Sequence, residues 1–93
     1  MKILELLDRP DRWTKGANAR NASGGRVDIH SDEAVRWCLD GGTVKCGVSN
    51  LATETKLKQA CLSLYGTVYY GYWQDQPETT WEQVRALLVL ADV

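Results

Sequence analysis

Apolar residues recur at helical spacing in four stretches of the chain, with polar or glycine-rich segments between them. Ile3, Leu4 and Leu7 share one face of a short helix over 2–8. Pro10 ends it, because the proline ring removes an N–H and restricts Arg9, and opens a further turn ending near Trp13. Ser31 reads as the N-cap of a second helix, with Asp32 and Glu33 in the favourable first turn and Val35, Cys38, Leu39 and Gly42 on one face. Val44 and Cys46 continue that face to about Cys46. Gly41 and Gly42 would then lie inside the helix, where missing side chains let another helix approach, at about 2 kcal/mol relative to alanine. Gly47 to Asn50 reads as a turn.

Thr53 caps the third helix, whose stripe is Leu57, Ala60, Cys61, Leu64 and Tyr65. Val68, Tyr69 and Tyr72 carry the same period past Gly66. A polar connection, Trp73 to Glu78, precedes the last helix. That helix starts at a capping box, with the Thr79 hydroxyl and the Glu82 carboxylate serving each other's amides. Trp81, Val84, Leu87, Leu88 and Ala91 form its apolar face, and Val89 and Leu90 widen it.

Residues 14–30 form the least regular stretch: Ala17 to Gly25 has neither period, Val27 and Ile29 alternate with Asp28 and His30 as one brief extended segment, and a loop of that length in a small domain calls for a function or for mobility. The expected fold is therefore all-α: a single domain over 1–93 with four helices, the first short, and a long loop after it. The minor alternative is α+β, with a strand pair from Val27–Ile29 and Val68–Tyr72.

Ninety-three residues make one domain. The large rings are four Trp and four Tyr with no Phe, and buried Trp and Tyr need partners for their polar tips. Net charge is −1, so nothing drives the whole chain towards nucleic acid or an anionic membrane. Cys38, Cys46 and Cys61 form no C-x-x-C pair, and the apolar start is too short for a signal segment or a membrane span. The expectation is a cytoplasmic protein with reduced thiols, not membrane-bound.

His30 is the only histidine. His30 and Cys38 carry no cysteine-protease signature, and His30, Cys38 and Cys46 match no zinc-ligand spacing. Asp75, Glu78 and Glu82 suit a helix start as well as they would suit acid–base chemistry. No phosphate-binding glycine motif is present. The reading is a non-enzyme with no cofactor, no metal and no catalytic residue. Helices near 32–46 and 53–65 would resemble a helix-turn-helix presenting Lys56 and Lys58 beside Glu54, a weak basic face, so nucleic acid is disfavoured as a partner.

Trp13-Thr14-Lys15-Gly16, Ala19-Arg20-Asn21-Ala22 and Trp37-Cys38-Leu39-Asp40-Gly41 resemble a family of small uncharacterised proteins of bacteria, phages and prophages. Trp73-Gln74-Asp75-Gln76-Pro77 with Thr79 resembles that family's carboxyl-terminal motif. The chain departs from the pattern at Gln74, where Asn is usual, and at Gly42, where Ala is common. The resemblance implies packing roles for Trp37, Cys38 and Gly41, and an Asp75 carboxylate that bonds amides at the last helix start. Size, the missing catalytic groups, the surplus of Trp and Tyr, and this resemblance point to a protein-binding module that modulates a host protein, such as an inhibitor of a host defence complex. The alternative is a small nucleic-acid-binding regulator. Aromatic and arginine residues are the usual interface anchors, which makes Arg20, Arg26, Tyr69, Tyr70, Tyr72 and Trp73 the candidate contact residues for a host or phage protein.

Overall fold

A computed structural model describes residues Met1–Val93. The order is α1 (Ile3–Leu6), a 3₁₀ turn (Pro10–Arg12), β1 (Ala19–Arg20), β2 (Arg36–Trp37), α2 (Leu39–Lys45), α3 (Leu51–Tyr65), α4 (Tyr70–Gln74) and α5 (Trp81–Ala91). Five helices and a two-stranded antiparallel sheet make this a small α+β fold, which overturns the all-α, four-helix expectation. The strands are not those of the α+β alternative either. Ala19 pairs with Trp37 and Arg20 with Arg36, while Val68–Tyr72 runs into α4.

Two local competitions account for the difference. Ser31 accepts the Glu33 amide and its carbonyl accepts the Ala34 amide, which closes one turn rather than starting a helix. Val35, Arg36 and Trp37 then extend against β1: the Val35 amide donates to Arg20, and the Trp37 indole donates to the Ile29 carbonyl at 3.0 Å. Helix α2 therefore starts seven residues later than Ser31 suggests, with Cys38 as its N-cap. At the other break, Gly66 takes a left-handed φ of 75° and ends α3. The chain re-enters helix only at Tyr70.

The capping box of the last helix is shifted by one residue. The buried Thr79 hydroxyl donates to the Trp73 carbonyl at 2.6 Å, so Thr80 becomes the cap. Its hydroxyl accepts from the Gln83 amide, and the Gln83 side chain accepts the Thr80 amide in return. Similarly, α3 is capped by Asn50, whose side chain accepts from the Thr53 amide. Leu64, expected on the buried stripe of α3, remains 43% exposed. The Tyr65 ring stacks on Trp73 with centroids 4.4 Å apart, and its hydroxyl reaches the Gln83 carbonyl.

The core lies where α3 packs on α5 and α1 crosses α2 and α5, around Ile3, Leu7, Leu39, Leu57, Leu87 and Leu88. The Ile3 amide donates to the Val93 carbonyl, and the Trp81 indole donates to the Leu7 carbonyl at 3.1 Å, so the two ends of the chain close on each other. No helix is long and apolar enough to cross a membrane.

The two glycines of α2 permit close approach on different sides. A Cβ at Gly41 would lie 1.9 Å from the Asn18 carbonyl oxygen, whereas one at Gly42 would meet Ile3 at 3.4 Å, an ordinary contact. We predict that Gly41→Ala destabilises the fold by about 3 kcal/mol, since backbone must move. Gly42→Ala should be neutral or stabilising, because it gains up to about 1 kcal/mol of helix propensity. Urea unfolding of the two variants checks the contrast.

Candidate functional site

The motif segments that are far apart in sequence meet around one side chain. Tyr70 and Gln74 lie one helical turn apart and so share a face of α4, and this turns Gln74 inward until only 2% of it is exposed. Its Oε1 accepts from the Trp13 indole at 2.8 Å and from the Leu39 amide, at the start of α2, at 3.3 Å. Its Nε2 donates to Asp75, whose Oδ1 also accepts from the Gly16 amide at 3.1 Å. The Gln74 amide is thus the junction between the long loop, α2 and α4. The Asp75 carboxylate serves the loop, not the start of the last helix as the resemblance implied.

The long loop is held by side chains. The Arg20 guanidinium donates to the Thr14 hydroxyl and to the carbonyls of Lys15 and Gly24. The Asn21 side chain accepts from Ser23 and Gly25, closing a turn. Lys15 donates to the carbonyls of Gln76 and Pro77, which ties the loop to the segment after α4.

Against this junction lies a polar cleft of about 450 Å³, lined by Asn18, Arg26, Cys38, Asp40, Gln74 and Asp75 among others. Cys38 Sγ accepts from the Gly41 amide at 3.2 Å and sits 3.6 Å from Asn18 Oδ1. Burial pushes its thiol up from the ordinary value and outweighs the amide bond, so Cys38 is a buried cap with a protonated thiol. Neither polar contact of the sulfur is to His30, and His30 is exposed. The Asp40 carboxyl is also raised, first by partial burial and then by repulsion from Asp75 and Glu54.

A second cavity, of about 540 Å³, also has Asp40 in its lining, together with Val44, Leu51, Glu54 and Tyr70 among others. Asp40 is a wall of both. Gly71 lies close beside it: a Cβ there would stand 3.2 Å from Asp40 Oδ2.

The six residues expected to contact a partner are therefore dispersed. Tyr69 and Tyr72 are 73% and 74% exposed at α4. Tyr70 is half-buried and lines the second cavity. Trp73 is half-buried, stacked on Tyr65. Arg20 is occupied within the loop, and Arg26 is exposed at the rim of the polar cleft. Sequence reasoning missed Asp40, Gln74, Val44 and Leu51. For Gln74 the available signal was its four-residue spacing from Tyr70. For Asp40 there was none, because the cap that puts it in a first turn, Cys38, was itself not legible.

The chain matches the model of a family described as a family of unknown function, DUF6197, over residues 2–91, and it belongs to that family. No curated protein and no solved structure matches it.

Two predictions follow from the geometry of Gln74 and Asp40. Gln74→Leu leaves the Trp13 indole and the Leu39 amide without an acceptor and should cost about 2–6 kcal/mol in chemical denaturation, at about 1–3 kcal/mol per orphaned group. Asp40 behaves in the opposite way. Its carboxyl titrates higher when folded than its ordinary 3.8, so its charge opposes folding above the folded-state value. Asp40→Asn should stabilise the fold at pH 7, by less than about 1 kcal/mol for so exposed a group, and the gain should disappear below about pH 4.

Proposed function

We propose that this protein is a non-enzymatic protein-binding module of the kind phages and prophages use to modulate a host protein, for example a component of a host defence system. The observation that carries this reading is the pair of tyrosines at α4, Tyr69 and Tyr72, held largely out of solvent-shielding contacts on a helix whose inner face is fixed by Gln74. Tyrosine supplies a large, amphipathic contact area with few rotatable bonds, which is why it anchors interfaces. Tyr70, between them in the chain, connects this surface to the cavity where Leu51 is 76% exposed. Arg26 offers a further contact. Arg20 and Trp73 contribute indirectly, by fixing the loop and α4. The three cysteines are all unpaired, which suits a reducing cytoplasm.

The alternative, a nucleic-acid-binding regulator, has less support. Of the α3 lysines it needs, Lys58 is engaged by Glu54 at 3.1 Å. It would require binding that falls steeply with salt and with loss of Lys56 and Lys58.

The test is capture of a partner from host lysate on the immobilised protein, with a Tyr69→Ala, Tyr72→Ala double variant beside it. Both side chains are exposed, so the variant should keep its helical spectrum. Loss of one anchor of about 2 kcal/mol corresponds to some 30-fold in affinity, and the double variant should lose at least that much. A partner that binds both forms equally, or no partner above background, would count against the reading.

A further inference from the structure

We propose that the groove between α2, α3 and α4 is a socket for an arginine side chain presented by a protein partner. This rests on the protein-binding reading above and specifies what the partner offers.

The groove is lined by two apolar side chains, Val44 and Leu51, and by two acids, Asp40 and Glu54, with Tyr70 also among its lining residues. Several other polar groups there are already committed. The Thr43 hydroxyl donates to the Leu39 carbonyl at 2.7 Å, and the Asn50 side chain caps α3 at 2.9 Å. The Asp40 carboxylate accepts no hydrogen bond and joins no ion pair, and the Tyr70 hydroxyl has no partner within the chain. Lys45, at the other end of α2, lies instead over the Trp37 ring, 5.9 Å from its centroid. Glu54 is engaged through one oxygen only, by Lys58. The repulsion that Asp75 and Glu54 exert on Asp40 is therefore not neutralised by a cation of this chain.

That combination selects its occupant by chemistry. An anion is repelled. A simple cation would satisfy the carboxylates but leave Val44 and Leu51 uncovered. An arginine does both: its methylene stem lies along apolar surface, and its planar, weakly hydrated guanidinium offers five donors to the carboxylates and a face to the tyrosine ring. Lysine carries a stem but concentrates its charge in a strongly hydrated ammonium, which makes it the weaker occupant. Substituting Asp40 removes the principal unpaired acceptor, and by relieving repulsion it does not endanger the fold.

The experiment is an NMR titration of the ¹⁵N-labelled protein with a capped tripeptide, acetyl-Gly-Arg-Gly-amide, and with its citrulline counterpart, which keeps the shape and loses the charge. The arginine peptide should shift the amides of Asp40, Val44, Leu51, Glu54 and Tyr70 saturably, and the citrulline peptide should not. Asp40→Asn should weaken the arginine peptide roughly fivefold, the scale of one partly exposed charge pair. Equal shifts with both peptides, shifts spread evenly over every acidic side chain, or an unchanged affinity in Asp40→Asn would overturn the proposal. The two readings fail separately. If a captured partner depends on Tyr69 and Tyr72 but is indifferent to Asp40→Asn, the arginine socket is wrong and the protein-binding module stands.

Discussion

Gln74 brings its carboxamide into the interior from the last position of a five-residue helix, and there its oxygen accepts from an indole and from a helix-start amide that belong to other parts of the chain. A buried amide has to be satisfied at both ends, and each partner of Gln74 is itself a group that needs one. The Trp13 indole would otherwise be an orphan donor at the core margin. The Leu39 amide is among the first-turn N–H groups that no helix can satisfy internally. The nitrogen end passes the constraint on to Asp75 and, through it, to Gly16. One side chain thereby decides where the long loop enters, where α2 begins and how α4 is rotated.

The rotation of α4 has consequences for the surface. With Gln74 and Tyr70 turned inward, Tyr69 and Tyr72 face outward. With α2 starting at Leu39, Asp40 falls in its first turn, in the lining of two cavities. Gly41, one residue on, must be bare because the loop carbonyl of Asn18 passes against it. The same close approach that packs the loop leaves a carboxylate beside it without an internal cation. That placement costs stability, and an unpaired charge beside exposed apolar groups is the kind of feature a binding surface retains.

The helices carried by long apolar stripes were legible in the sequence. The faces of α1, α3 and α5 follow the spacing of Ile3 and Leu7, of Leu57, Ala60 and Cys61, and of Val84, Leu87, Leu88 and Ala91. The rest depended on choices that spacing does not encode. Ser31 and Thr79 are both sound caps in isolation, and each took a different partner, an amide two residues on in one case and the Trp73 carbonyl in the other. The strands have two residues each, too short to show an alternating period. Tyr69 and Tyr72 were recognised by residue type alone, because tyrosines suit both faces of a helix. Asp40 and Gln74 could not be recognised as a pair of opposites, one unsatisfied and one fully used, since the two donors to the Gln74 oxygen lie more than thirty residues away in the chain and Asp40 has no partner in it.

If the Gln74 junction is what orders the loop, α2 and α4 together, then the Trp13 indole N–H should be protected as strongly as the centre of the core. Native-state hydrogen exchange measures this directly, followed at increasing urea for that indole and for the Leu88 amide of α5. Both should exchange only through global unfolding, with the same free energy and the same denaturant dependence. Fast, urea-independent exchange of the indole while Leu88 stays protected would show that the junction opens on its own and that the loop is held by something else.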